Sequence, residues 1–385
     1  MDKLINVCRF PYDNKEHLQE DFGMFQDYNG NGPYDRLFDR IKKPSINEVD
    51  GKYLLYLSTP HFHNNFVSDF ELLIESDLKL KNDIINKDVK FLIFRIGEFD
   101  GYHSGNFLDD EPYLDFIRLI KKYGRDDSDF LYLSFNYNVE YALRNSRLKK
   151  RYHNFCQLNL YNIIRNNKDL LLKSFHKSNQ LRPYHYLCYN FNMKPHRERV
   201  VKFLSFKNNG LLSSPNHNLF LDGHKYLDEW TRKNKNFYYY ANRNHFNKTY
   251  FSIITESHFV DIFFKNSTTN FSDTIDNLSF TEKTWKPITN FHPFFMVGGY
   301  KSLSKLKELG FETFNQYFDE SYEELGLDYM LKVVNDLLKK DIKEIHNIYY
   351  GMKEVLVHNF NNYFKICEEE IEDLQNDLFD FCYKE

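Results

Sequence analysis

The chain has 385 residues, of which 42% are hydrophobic and 28% charged, so it can bury a sizeable core and is not expected to be disordered. A formal net charge of −4 removes the general electrostatic argument for an avid nucleic-acid or membrane binder, although a local basic groove remains compatible with it. The sequence contains neither the roughly 18–20 uninterrupted apolar residues of a membrane helix nor an apolar signal core, so we expect a cytoplasmic protein without membrane insertion.

Five cysteines are widely spaced and none forms a Cys-x-x-Cys pair, so neither a disulfide framework nor a cysteine zinc site is predicted. The chain has 38 Phe and 29 Tyr but only two alanines, Ala142 and Ala241. This bias towards residues with A/T-rich codons indicates an A/T-rich genome, cellular or viral. If the source is viral, the expected location is the host cytoplasm.

Six short apolar runs, rich in aromatic and β-branched residues, are bounded by polar turns. They cover residues 52–58, 89–96, 130–137, 184–189, 250–255 and 293–298. Near-continuous apolar runs of this length are typical of strands buried on both faces, as in parallel sheets. Helical patterns alternate with them: a stripe of Tyr113, Phe116, Ile117 and Ile120 follows Pro112, and others lie at residues 200–204, 327–338 and 371–381. The alternation predicts an α/β protein with parallel sheets.

The domain organisation is predicted from a polar, basic region at residues 144–183, which has little strand character. An inter-domain connection is placed at residues 180–183. The predicted domains are an N-terminal α/β lobe with the basic connecting region (1–180), a second α/β lobe (181–345) and C-terminal helices (346–385). Ligands of such folds bind beyond the carboxyl ends of the strands, here most naturally in a cleft between the lobes.

The common nucleotide-binding, zinc-protease and hydrolase motifs are absent from the sequence, which narrows the possible chemistry. Asp127 and Asp129 form an Asp-x-Asp pattern that some glycosyltransferases use to hold a metal, but it precedes a predicted strand, which favours a turn. His61 and His63 offer two metal ligands on one strand face, and no third ligand stands at useful spacing. No metal site is therefore predicted.

The most informative segment runs from residue 250 to residue 314. A buried strand leads into Glu256, and after a long loop Thr281, Glu282 and Lys283 open a short helix. A helix N-terminus with a lysine suits phosphate, and a glutamate suits sugar or ribose hydroxyls. The alternative is that Thr281 is an ordinary N-cap and Glu282 only favours the positive end of the helix. Spacing alone supports the two interpretations equally.

Residues 280–288 (FTEKTWKPI), 306–314 (LKELGFETF) and 190–197 (NFNMKPHR) carry a resemblance to known proteins. They resemble the donor-binding half of glycosyltransferases with the two-lobed GT-B fold, above all the α1,3-fucosyltransferase family and glycosyltransferase-like proteins of phages and giant viruses. The resemblance covers about residues 184–320. Glu256 is followed by Ser-His rather than the family's Asn-Ser, and the N-terminal half matches no family motif.

The resemblance implies a GT-B fold with two Rossmann-like lobes, and inverting transfer from a nucleotide-sugar donor without a cofactor or an obligatory metal. Donor-binding residues would include Asn190 and Lys194. Lys283 and Arg197 would hold the phosphates, and Glu256 and Glu282 would contact hydroxyls of the donor. The catalytic base would come from the N-terminal lobe, with Glu98 as the first candidate and Asp100 as the second.

Several alternatives stay open at this stage. The acceptor is a glycan, a lipid-linked sugar, a protein or a modified base in DNA, and the basic runs 149–151 and 232–233 are either a groove for DNA or an ordinary solvated face. Two other classes of protein are alternatives on the same fold: a catalytically silent sugar- or nucleotide-binding protein, and a GT-B epimerase, for which the Thr-Glu-Lys motif is not expected. The sequence indicates neither the sugar nor the oligomeric state.

Overall fold

A computed structural model describes the following residues: 4–9, 41–42, 46–58, 66–94, 111–134, 137, 148–190, 193–214, 217, 219, 243–256 and 278–384. The chain divides into two compact units. Unit 1 comprises Met1–Phe155, Ser272–Ser279 and Glu369–Glu385, and unit 2 comprises Cys156–Phe271 and Phe280–Glu368. Residues 156–180 thus belong to unit 2, whereas the sequence-based boundaries placed them in the first lobe.

Unit 1 contains a parallel sheet with the strand order β2-β1-β3-β4-β5-β6. The strands are β1 (Ile5–Arg9), β2 (Ile41–Lys42), β3 (Tyr53–Ser58), β4 (Val89–Phe94), β5 (Phe130–Ser134) and β6 (Lys149–Tyr152). Its helices are α1 (Phe66–Ser76), α2 (Leu78–Ile85) and α3 (Glu111–Lys121). The strand order reverses between β1 and β3, as in doubly wound α/β folds.

The core of unit 1 lies between this sheet and its helices. Phe91 on β4 stacks on Phe130 of β5, and Phe116 of α3 meets Phe91 edge-on at 5.5 Å between ring centroids. Phe116 is the middle of the predicted apolar stripe of α3. The same stripe therefore specifies both the helix and the face that it buries.

Unit 2 contains a second parallel sheet with the order β10-β9-β7-β8. Its strands are β7 (Tyr184–Tyr189), β8 (Gly210–Ser213), β9 (Thr249–Thr255) and β10 (Phe294–Val297). The helices before and within the sheet region are α4 (Phe155–Ile164), α5 (Lys168–Lys177), α6 (Pro195–Leu204), α7 (Arg243–Lys248), α8 (Glu282–Thr289) and α9 (Ser302–Glu308). The later helices are α10 (Tyr322–Leu325), α11 (Leu327–Leu338), α12 (Ile342–Gly351) and α13 (Lys353–Tyr383).

The predicted α/β class, with two parallel sheets and C-terminal helices, is confirmed, and all six predicted strands are present. The prediction that residues 144–183 have little strand character is wrong at β6. This strand was missed because its sequence, KKRY, contains no apolar run. In the structure it pairs with β5. Among the described residues, no helix is long and apolar enough to cross a membrane.

Candidate functional site

The carboxyl edge of the four-stranded sheet is the candidate site. β7 and β9 are neighbours in this sheet. β8 follows β7 in the chain and pairs on the outer side of β7, whereas β10 follows β9 and pairs on the outer side of β9. Asn190 follows β7 and Glu256 follows β9, so both lie where the strand order reverses. Ligands of open α/β sheets bind at such switch points, because the connections on either side leave a crevice there.

Asn190 joins three strand ends in this edge. Its backbone N–H donates to Ser213 O at 2.9 Å, at the end of β8. Its side-chain oxygen accepts from Thr255 Oγ1 at 2.7 Å, at the end of β9, and its amide donates to Cys188 Sγ at 3.2 Å. Asn190 is buried, and every contact described here is with the protein itself. It therefore fixes the edge on which the site is built.

Glu256 connects the first turns of two helices. Its backbone carbonyl accepts from His196 Nε2 at 2.9 Å, in the first turn of α6. Its carboxylate accepts from Thr281 and Thr284 at the start of α8: Thr281 N–H at 3.1 Å, Thr281 Oγ1 at 2.6 Å and Thr284 Oγ1 at 2.6 Å. The N-termini of α6 and α8 are thus both tied to the end of β9.

Burial dominates the electrostatics of Glu256, whose exposed fraction is 1%. Loss of water raises the pKa of its carboxyl group, and the nearby charge of Lys283 and the two threonine hydroxyls oppose that shift only in part. Because both carboxylate oxygens already have protein donors, Glu256 holds α8 in place in this structure.

Lys283 and Glu282 form a pair at the first turn of α8. Lys283 Nζ lies 3.2 Å from Glu282 Oε1 and donates to Thr281 Oγ1 at 3.1 Å. Burial alone would raise the pKa of Glu282, but the charges of Lys283 and Lys286 outweigh it and lower the pKa. The side chains of Lys283 and Glu282 remain 23% and 13% exposed, so both reach the surface of the site.

Lys194 and Arg197 flank the N-terminus of α6. Lys194 occupies the N-cap position, in extended backbone conformation, and Pro195 follows at the first helical position. Arg197 is buried, and its charge acts on the Cys188 thiol. Burial raises the pKa of Cys188 to about 12, while the hydrogen bond from Asn190 and the charge of Arg197 act to lower it. Arg197 therefore lies beneath the site rather than on its surface.

Of the eight sequence-predicted site residues, the structure brings Glu256, Glu282 and Lys283 together and places Asn190, Lys194 and Arg197 around the same sheet edge. Glu98 and Asp100, the predicted catalytic residues, lie outside the described residues, as do His61 and His63.

The Asp-x-Asp pattern is a turn, as predicted. Residues Asp127–Asp129 form a 3₁₀ helix with a reciprocal capping box between Asp126 and Asp129. Asp129 is buried and accepts from Arg125 Nε at 2.8 Å, with a second guanidinium nitrogen at 2.8 Å from its other oxygen. This bidentate pair gives Asp129 a structural role.

Two residues of the site were not among the predicted site residues, although His196 lies in the run 190–197 that carries the resemblance. Thr284 stands one helical turn after the N-cap Thr281, and this spacing is what lets both hydroxyls reach one carboxylate. His196 stands in the first turn of α6, but its partner, the Glu256 carbonyl, is 60 residues away in sequence. A Thr-x-x-Thr pattern at a helix start was a visible signal, whereas the pairing of His196 had none.

Among the described residues there is no group of three or more His, Cys, Asp or Glu side chains placed to hold a metal ion. Comparison with protein-family models, with curated proteins and with solved structures found no match for this chain. Function is therefore inferred from the residues and their geometry.

Proposed function

We propose that the chain is an inverting, metal-independent glycosyltransferase that moves a hexose or pentose from a nucleotide-sugar donor to a hydroxyl acceptor. The observation that carries the proposal is the convergence of the α6 and α8 N-termini on Glu256 at the switch point of a parallel sheet. Helix N-termini attract phosphate through their dipoles, so two together suit a diphosphate. The GT-B fold is part of this proposal.

The role proposed for each side chain follows from how far that side chain is exposed to solvent. Lys283 and Lys194 are both partly exposed and meet the donor phosphates, while Glu282 accepts hydrogen bonds from ribose or sugar hydroxyls. Arg197 adds positive potential from below. Glu256 acts as a positioning residue, because its carboxylate already accepts three hydrogen bonds from Thr281 and Thr284.

In the transfer step, the oxygen of the acceptor hydroxyl forms a bond to the anomeric carbon, and the bond from that carbon to the donor phosphate breaks. The electron pair leaves with the nucleoside diphosphate, whose growing charge is stabilised by Lys283 and the helix ends. The acceptor proton passes to a carboxylate base, for which Glu98 is proposed first and Asp100 second. Attack opposite the leaving group inverts the anomeric centre.

The test is a donor screen with the purified protein. Nucleotide sugars with different bases and sugars are incubated with candidate acceptors, namely glycans and duplex DNA containing hydroxylated bases, and release of nucleoside diphosphate is measured. Acceptor-dependent release from at least one donor is expected. The control for donor recognition is the matching nucleoside monophosphate, which lacks the second phosphate and should compete weakly.

Two outcomes would contradict the proposed glycosyltransferase activity. If a nucleotide sugar binds but no acceptor stimulates release, the chain is the silent binding protein instead. If no nucleotide sugar binds, the switch point of the four-stranded sheet is not a donor site.

A further inference from the structure

A row of lysines lies at the amino edge of the six-stranded sheet, opposite to the carboxyl edge of its strands. Lys52 immediately precedes β3, Lys90 is the second residue of β4, and Lys149 is the first residue of β6. The register pairs Lys90 with Leu54 of β3, and Lys149 with Leu131 of β5. Since side chains alternate along a strand, these pairings put the three lysines on one face of the sheet.

The C-terminal part of α13 packs on this face and gathers two of the lysines. The ammonium groups of Lys90 and Lys149 lie 5.2 and 5.6 Å from the centre of the same ring, that of Phe381. Lys90 Nζ also donates to the carbonyl oxygen of Lys384 at 3.3 Å. Two like charges are therefore held over one aromatic side chain, which favours cations but does not neutralise them.

The acidic groups nearby have other partners. Asp377 pairs with Arg151, Asp380 lies 2.7 Å from Lys384 Nζ, and Asp129 is bound by Arg125. In the part of the chain that the structure describes, no carboxylate lies within ion-pair distance of Lys52, Lys90 or Lys149.

The pKa of Lys90 is lowered mainly by burial and in part by the neighbouring lysines. Burial, followed by the charge of Lys149 and with a smaller share from Lys52, lowers the pKa of Lys90, against the opposing charge of Asp129. An anion bound on this face would relieve the repulsion. Among the residues that the structure describes, the cationic row therefore has no carboxylate as its counter-charge.

The length of the lysine row indicates which kind of anion fits it. Neighbouring strands are about 4.8 Å apart, so the three strand spacings from β3 to β6 span roughly 14 Å across the sheet. The register also moves Lys149 four residues along the strand direction from Lys52, so the row runs diagonally over roughly 20 Å. A groove of about 570 Å³ runs beside its Lys149 end. Its charged lining comprises the cations Lys149, Lys150, Arg151 and Lys384 and the two carboxylates Asp377 and Asp380, which pair with Arg151 and Lys384. One small phosphate ion would meet only part of such a row. Successive phosphates of a nucleic-acid strand, about 3.4 Å apart along a duplex axis, match all of it.

We propose that the lysine row of Lys52, Lys90 and Lys149, which stays partly exposed beside the end of α13, binds the phosphodiester backbone of a nucleic acid. The contacts are from ammonium groups to phosphates, so binding is independent of base sequence. The proposal does not depend on the glycosyltransferase activity, because the row lies at the amino edge of unit 1 and the candidate donor site at the carboxyl edge of the sheet in unit 2.

The experiment measures fluorescence anisotropy of a labelled 20-base-pair duplex of random sequence against the full chain. The triple variant Lys52→Gln, Lys90→Gln, Lys149→Gln should bind at least about tenfold more weakly at low salt. The slope of log affinity against log salt should fall by about 2–3, close to 0.9 for each lost phosphate contact. The matched control is Lys332→Gln, Lys339→Gln, Lys343→Gln, which removes the same charge from exposed positions of α11 and α12 and their junction.

Thermal unfolding of both variants verifies that they fold. Equal affinity and equal salt slope for the two triple variants would overturn the proposal, because only net charge would then matter. Displacement of the duplex by micromolar inorganic pyrophosphate would also overturn it, in favour of a small-anion site. Binding of phosphatidylserine vesicles without binding of the duplex would assign the row to a lipid surface instead.

Discussion

Thr281 donates both its backbone N–H and its hydroxyl to the Glu256 carboxylate, at 3.1 and 2.6 Å, across 25 residues of sequence. One side chain at a strand end thereby fixes the start of the helix that carries Lys283. The donor site proposed for this protein depends on that bond pair, because Lys283 Nζ itself rests on the Thr281 hydroxyl.

Replacing Glu256 tests this dependence. Glu256→Ala leaves three donors buried without an acceptor, so we expect a loss of about 3–5 kcal/mol in the free energy of unfolding. Glu256→Gln keeps the shape and one oxygen and should lose about 1–2 kcal/mol. Urea unfolding measures both. Glu324→Ala on α10, an exposed carboxylate, is the control and should stay within about 0.5 kcal/mol. A Glu256→Ala variant as stable as this control would show that the buried bonds do not hold α8.

Acid sensitivity is predicted at His292, which is fully buried. Burial, with the charge of Arg182 next in size, lowers its pKa from 6.5 to about 3, although the Thr249 and Phe246 carbonyls act in the opposite direction. Between pH 6.5 and pH 3 this histidine binds a proton in the unfolded chain but not in the folded protein. The free energy of unfolding therefore falls as the pH drops from 6.5 towards 3.

His292→Gln should reduce that pH dependence by up to about 1.4 kcal/mol per pH unit, measured by urea unfolding at several pH values. His176→Gln, at an exposed position on α5, is the matched control and should keep the wild-type dependence. The same slope in wild type and His292→Gln would mean that His292 takes up its proton in the folded protein as readily as in the unfolded chain.

The fold was predictable where strands are apolar on both faces. The run YHYLCY of β7 and the run YFSIIT within β9 are buried and easy to recognise. β8, with the sequence GLLS, is four residues long, and β6 is basic, so neither shows the hydrophobic signal on which the prediction relied.

The candidate site was predictable in its residue types but not in its bonds. Glu256, Glu282 and Lys283 were identified from a strand end and a helix start, which are local features. The partners of Glu256 lie 25 to 60 residues away, and Thr255 lies 65 residues from Asn190. These bonds form only when β7 pairs with β9 and α8 packs at the end of β9. No sequence pattern encodes such distances, and the positioning role of Glu256 therefore emerged only from the structure.

Glu98→Gln tests the proposed base. Glutamine keeps the length of the side chain but cannot accept the acceptor proton, so turnover should fall about 10²-fold or more while donor affinity stays nearly unchanged. Single-turnover kinetics beside calorimetry of donor binding separates the two effects. Normal turnover would move the role to Asp100. Weak donor binding would instead place Glu98 in the donor site.

Chelation tests the proposed way of stabilising the leaving group. Because cationic side chains and helix ends do this work in the proposal, activity should be unchanged in EDTA. Nucleotide release is measured before and after chelation. Loss of activity in EDTA that Mn²⁺ or Mg²⁺ restores would contradict this part of the mechanism.

The central claim is that Lys283 meets the donor diphosphate, and paired calorimetry and kinetics on Lys283→Ala test it most directly. Its affinity for the best nucleotide sugar of the screen should fall about tenfold or more, and transition-state stabilisation by about 2–4 kcal/mol. Lys286→Ala, one turn further along α8, is the matched control and should bind within about threefold of wild type, since the dipole effect is confined to the first turn. If Lys283→Ala binds and turns over like Lys286→Ala, the start of α8 is not the donor site.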